Sequence, residues 1–116
     1  MATNEVFRDA QHLSLTVPTD TASGAPVRVG GVLNGVTQTA EGEGGNAAGK
    51  ATVWLKGAFT LTVTGAVTTE LQPIYIVTAS NTLDVDDNSA ANPLFGYALS
   101  LKSGATAGDV DVMIAN

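Results

Sequence analysis

Residues 58–63, Ala58-Phe59-Thr60-Leu61-Thr62-Val63, set Phe59, Leu61 and Val63 against Ala58, Thr60 and Thr62. A period of two puts every second side chain on one face of an extended chain, whereas a helix would scatter the same three apolar residues around its girth. The run therefore reads as a strand with one face turned to a core. The signature recurs at Leu13, Leu15 and Val17, and again at Val110, Val112 and Ile114, interleaved with Asp111 and Met113. In the fourth such run, Phe95, Tyr97, Leu99 and Leu101 alternate with Gly96, Ala98 and Ser100, which predicts all four large side chains on the inward face.

The segments between these runs read as further short strands and turns. In Ala25–Leu33, Val27 and Val29 flank an outward Arg28 ahead of a bend or bulge at Gly30-Gly31. Asn34-Gly35 carries a two-residue hairpin signal, because a type I′ turn needs positive φ at both central positions, and 36–40 becomes the returning strand. Strands are also expected over 51–57, 73–78 and 81–85, with 66–69 a short strand or connector. Glu41–Gly49, rich in glycine, is a surface loop; Asp86-Asp87-Asn88-Ser89 is a polar turn, and 87–91 has room for one helical turn at most.

These elements predict an all-β fold: a single small β-barrel or β-sandwich-like domain of about eight or nine short strands over residues 12–116. Residues 1–11 show no period, and Val6-Phe7 is the only apolar pair among polar and charged neighbours. They read as an extended N-terminal arm, lying along its own domain or added as a strand to a neighbour.

Composition limits the function. A chain of 116 residues fits one domain of ordinary size. The net charge is −6, and the five basic residues, Arg8, Arg28, Lys50, Lys56 and Lys102, are scattered. Nucleic acid and anionic membranes are therefore not expected partners. With no cysteine, thiol chemistry and disulfides are excluded. The first residues contain no apolar run, so a secretory signal is not expected, and no stretch has transmembrane length.

No catalytic, cofactor or metal residue is expected. His12 is the only histidine, so a two-histidine metal site is impossible within one chain. Asp84, Asp86, Asp87 and Asn88 have the oxygen-rich spacing of a calcium loop but lack its glycine and distal glutamate, and read better as a solvated turn. Asp109 and Asp111 keep an exposed strand soluble and guard it against edge pairing. Trp54, the only tryptophan, is expected in the core or at its edge. Gly30-Gly31 and 42–45 have neither the lysine nor the helix start of a phosphate loop.

The opening Met1-Ala2-Thr3-Asn4-Glu5-Val6-Phe7-Arg8-Asp9-Ala10, the segment from Ala25 to Val36, Val53-Trp54-Leu55-Lys56-Gly57-Ala58-Phe59, Pro73-Ile74-Tyr75-Ile76 and Leu94–Leu99 together resemble the tailed-bacteriophage capsid decoration, or cement, proteins. Members of this family are often labelled recombinase-like, a label this chain contradicts by lacking any nucleotide-binding loop. The resemblance implies a structural virion protein, made in the host cytoplasm, that sits on the outer surface of an icosahedral head. It implies a homotrimer clamping neighbouring copies of the phage major capsid protein and stabilising the expanded capsid. Val6, Phe7 and Arg8 are the expected capsid contacts. The alternative is a carbohydrate or cell-surface binding module, for which one Trp, two Tyr and three Phe leave few aromatics to spare from the core.

Overall fold

The computed structural model describes residues 12–116, and within them it contains nine strands and no helix. The arm expected over 1–11 lies outside the described residues. The fold is all-β, as the alternating runs require.

The first four strands, β1 (His12–Thr16), β2 (Pro26–Val29), β3 (Leu33–Thr37) and β4 (Lys50–Trp54), form an antiparallel sheet in the order β1-β4-β3-β2. The remaining five, β5 (Ala58–Thr64), β6 (Pro73–Val77), β7 (Thr82–Asp84), β8 (Leu94–Ala98) and β9 (Gly108–Ile114), close into a barrel in the order β5-β7-β6-β8-β9. Its ladders are antiparallel except β5–β7, where Val63 lies opposite Leu83 in a parallel pair. The 66–69 segment contributes one isolated bridge, Val67 to Lys102.

Each unit has its own core. Leu61, Val63, Ile74, Ile76, Phe95 and Val112 fill the barrel, while Val17, Val27, Ala51 and Val53 sit beneath the sheet. Val36 of β3 packs into the barrel cluster and so ties the two together. At about 25 cal/mol per Å2 of apolar surface, such burial is the main force holding each unit.

The two units are also joined by a polar knot. Asn34, 3% exposed, donates from Nδ2 to the carbonyl oxygens of Leu94 (2.8 Å) and Ala115 (2.7 Å), and its Oδ1 accepts from Arg28 Nη1 at 2.7 Å. Its backbone N–H donates to Asn116 Oδ1, and Asn116 Nδ2 donates back to the Asn34 carbonyl and to that of Leu55. A buried amide is stable only when its donors and acceptors are matched, and here both are.

Two local expectations are corrected and one is sharpened. The β2–β3 hairpin turns at Gly30-Gly31, with φ of 61° and 71°, and Val32 N–H donates to the Val29 carbonyl at 3.1 Å. Asn34-Gly35 instead lies inside β3, paired with Arg28 and Val27. Gly35 is needed there for space, since a Cβ would stand 2.8 Å from the Trp54 carbonyl oxygen. Second, 87–91 stays within the one turn allowed it, and that turn is left-handed: Asn88, Ser89 and Ala90 have φ of 49°, 55° and 70°.

Third, Tyr97, Leu99 and Leu101 do not follow Phe95 inward. The β6–β8 register slips by one residue between Ile74 and Tyr75, leaving Phe95 unmatched on β6. A bulge of this kind exchanges the faces beyond it. Ala98 consequently enters the core, and Leu99 and Leu101, past the end of β8, are 41% and 63% exposed.

Candidate docking surface

The bulge determines what the barrel shows to the outside. On the β5-β9-β8 wall the inward positions are taken by Leu61, Val63, Val110, Val112 and Ala98. The alternate positions face out, and Ala58, Met113 and Tyr97 stand side by side in one cross-strand row. The next row holds Thr60 and Asp111, with Leu99 beside them through its N–H donated to the Asp111 carbonyl at 2.7 Å. With Met113 40% exposed, this is an apolar strip on a water-facing wall. Scattered exposed apolar residues are ordinary, but a contiguous strip marks a contact surface.

The lower rungs of the same wall are polar. Thr60 Oγ1 donates to Asp111 Oδ1 at 2.6 Å, and Thr62 Oγ1 to Asp109 Oδ1 at 3.4 Å. Both carboxylates face water, in keeping with a solubilising role. The edge-guarding role expected of them is overturned, because β9 is paired on both sides within the closed barrel.

The strip runs into a cleft of ≈ 620 Å3 between sheet and barrel, lined by Leu33, Leu55, Lys56, Ala58, Met113 and Ile114 together with Asn116. Ala58 and Met113 belong to both. The β4–β5 connection holds the cleft open on one side. There Gly57, at φ 114°, accepts the Ile114 N–H at 2.9 Å and brings the end of β9 against the β4–β5 corner.

The other sequence candidates serve the fold. His12, at the exposed start of β1, meets the half-buried Trp54 edge to face with ring centroids 4.7 Å apart, so the tryptophan lies at the rim of the core. Asp84 and Asp86 accept the backbone N–H groups of Asp86 and Asn88 at 3.0 and 2.9 Å and shape their own loop. Among the described residues no group of three or more His, Cys, Asp or Glu could hold a metal ion. Glu41 crosslinks the long loop: it accepts the Gly49 N–H at 2.8 Å and the Asp20 N–H at 3.2 Å, and these two bonds hold its carboxyl below the usual range. Val6, Phe7 and Arg8 lie outside the described residues. Sequence reading missed the strip and the cleft, since Leu99, Leu101 and Met113 are indistinguishable from core or spacer positions until the bulge is known.

Among known proteins, a family model described as a phage cement protein matches residues 7–114. No curated protein and no solved structure matches the chain.

Proposed function

The chain belongs to the phage cement protein family, a structural family of the phage capsid, and from that membership we propose that it binds the outer surface of an icosahedral head as a homotrimer. In this reading it clamps neighbouring copies of the major capsid protein and stabilises the expanded shell. The observation that carries it is the family match, which spans all but the first six and last two residues.

The physical account is a linkage. A protein that binds the expanded shell and not its precursor stabilises the expanded state by the free energy of that binding. Three joined copies add avidity without demanding a strong contact from each. The exposed strip from Tyr97 and Met113 to Leu99 supplies apolar area for either a capsid subunit or a second copy. Val6, Phe7 and Arg8 are proposed as capsid contacts on the arm, with synthesis in the host cytoplasm before assembly. The role asks for no chemistry, and no enzymatic activity is proposed.

Co-sedimentation with expanded, undecorated heads and with unexpanded procapsids tests the proposal, followed by cryo-electron microscopy of what binds. Binding to expanded heads alone, with trimeric density at three-fold positions, is expected. Failure to bind either particle would overturn it.

A further inference from the structure

Asn34-Gly35 is the one asparagine–glycine pair in the chain; none of the other six asparagines is followed by glycine. In an open polypeptide such a pair is the asparagine most prone to lose its amide, because glycine turns freely and has no side chain to keep its backbone nitrogen away from the preceding Cγ. The Gly35 nitrogen, deprotonated, attacks Asn34 Cγ. The new C–N bond closes a five-membered succinimide, the Cγ–Nδ2 bond breaks, and ammonia leaves. Water then opens the ring at one carbonyl or the other, giving an aspartyl or an isoaspartyl residue at position 34.

The fold withholds the conditions for that reaction. Asn34 is 3% exposed, and its Nδ2, the leaving group, is held by the carbonyls of Leu94 and Ala115. The backbone is an extended strand in which Gly35 is paired with Val27, so the Gly35 nitrogen cannot fold back onto the preceding side chain. The two acceptors lie sixty and eighty-one positions downstream, so this protection begins only when the barrel has closed. Neither product fits the place the amide leaves. An ionised aspartyl group has no N–H to offer the two carbonyls. An isoaspartyl link adds a methylene to the main chain beside Gly35, where even a Cβ would stand 2.8 Å from the Trp54 carbonyl oxygen.

We propose that Asn34 is a deamidation site sealed by the fold: it converts only in the open chain, and conversion removes that chain from the folding population for good. Chains that fold promptly keep the amide. Chains held open, and folded copies that open repeatedly, lose it without any protease. Ordinary stabilities leave about one molecule in a thousand or fewer unfolded at a time, and the folded protein ages more slowly by that factor. The proposal stands independently of the capsid reading.

The full-length protein is aged at mildly alkaline pH in buffer and in urea above the unfolding midpoint, and the tryptic peptide 29–50, bounded by cleavage after Arg28 and Lys50, is followed by mass spectrometry with fragmentation to locate the change. In urea, position 34 should convert first, ahead of Asn88, which is exposed and followed by Ser89. In buffer it should convert at least about a hundredfold more slowly, and at intermediate urea its rate should follow the unfolded fraction read from Trp54 fluorescence. Gly35→Ala, which need not fold for the urea arm, should convert several-fold more slowly than the unaltered chain. Diluted out of urea, protein converted at position 34 should stay unfolded while freshly unfolded protein refolds. Conversion in buffer at a rate comparable to that in urea, conversion led by another asparagine in urea, no slowing by Gly35→Ala, or native refolding of the converted chain would overturn the proposal.

Discussion

Asn34→Ala should unfold this protein more readily than any exposed substitution, because Asn34 is the buried side chain at the centre of the hydrogen bonds that sheet and barrel share. The substitution strips one donor each from the carbonyls of Leu94 and Ala115 and the acceptor that Arg28 Nη1 uses. A buried polar group left without a partner costs about 1–3 kcal/mol. Water entering the space vacated by the amide recovers part of the loss for two carbonyls, which leaves about 3 kcal/mol. At roughly 4–8 °C per kcal/mol for a domain of this size, Tm falls by roughly 12–24 °C. Urea unfolding followed by the fluorescence of Trp54, the only tryptophan, measures the loss, and an unchanged m-value certifies that the states compared are the same. Asn34→Asp keeps the shape and the acceptor for Arg28 but points an anionic oxygen at two carbonyls. It should be at least as damaging at neutral pH and partly relieved by acid, which protonates it. Asn116→Ala, at an exposed residue, leaves the N–H and carbonyl of buried Asn34 without their side-chain partner and should cost about 1–3 kcal/mol. An Asn34→Ala loss below about 1 kcal/mol would refute the knot as a source of stability.

Other substitutions test separate features. Gly35→Ala places a Cβ 2.3 Å from Val53 Cγ1 and 2.8 Å from the Trp54 carbonyl oxygen, so a loss of about 1–3 kcal/mol in urea unfolding is expected; a neutral result would mean that β3 shifts without cost. Leu71 has φ of 62° and is 52% exposed, so Leu71→Gly should relieve left-handed strain and raise Tm slightly, by the equivalent of about 0.5–1 kcal/mol. The Glu41 carboxyl is depressed by the Gly49 and Asp20 N–H groups, so its stabilisation is complete above the unfolded glutamate pKa, about 4.3, and disappears as pH falls through the lower folded value. Glu41→Gln should flatten that part of the acid-stability curve, and an unchanged slope counts against the loop crosslink. Leu99→Asp should leave the fold within about 0.5 kcal/mol while weakening head binding or self-association at least tenfold in sedimentation; wild-type behaviour removes the strip from the interface.

Strand positions were legible in the sequence wherever one face is core and the other solvent. In β5 and β9, Leu61, Val63, Val110 and Val112 are buried just where the alternation puts them. The hairpin at 29–33 was not, because two glycine signals stood four residues apart and local chemistry favours Asn34-Gly35 as strongly as Gly30-Gly31. What decided between them is tertiary: Gly35 must pass close to β4, and Asn34 must reach Leu94 and Ala115, sixty and eighty-one positions away. The outward strip was illegible for a related reason. The β8 bulge is a property of two paired strands, and a single strand's alternation holds no record of it. Barrel closure through a parallel β5–β7 pair likewise leaves no period in the sequence.

That closure has a consequence for how the protein comes into being. The longest ladder of the barrel joins β5 to β9, and the side chains it brings together, Thr60 with Asp111, are 51 positions apart. All four strands of the sheet, by contrast, are complete by Trp54. On a ribosome the sheet can form while the barrel strands are still being made, but β5, with β7 as its other neighbour, cannot complete its pairing until β9 has emerged. Non-local pairing of this kind slows folding and leaves strand edges open in the interval. Closure of the barrel then hinges on the docking of one strand that comes late in the sequence.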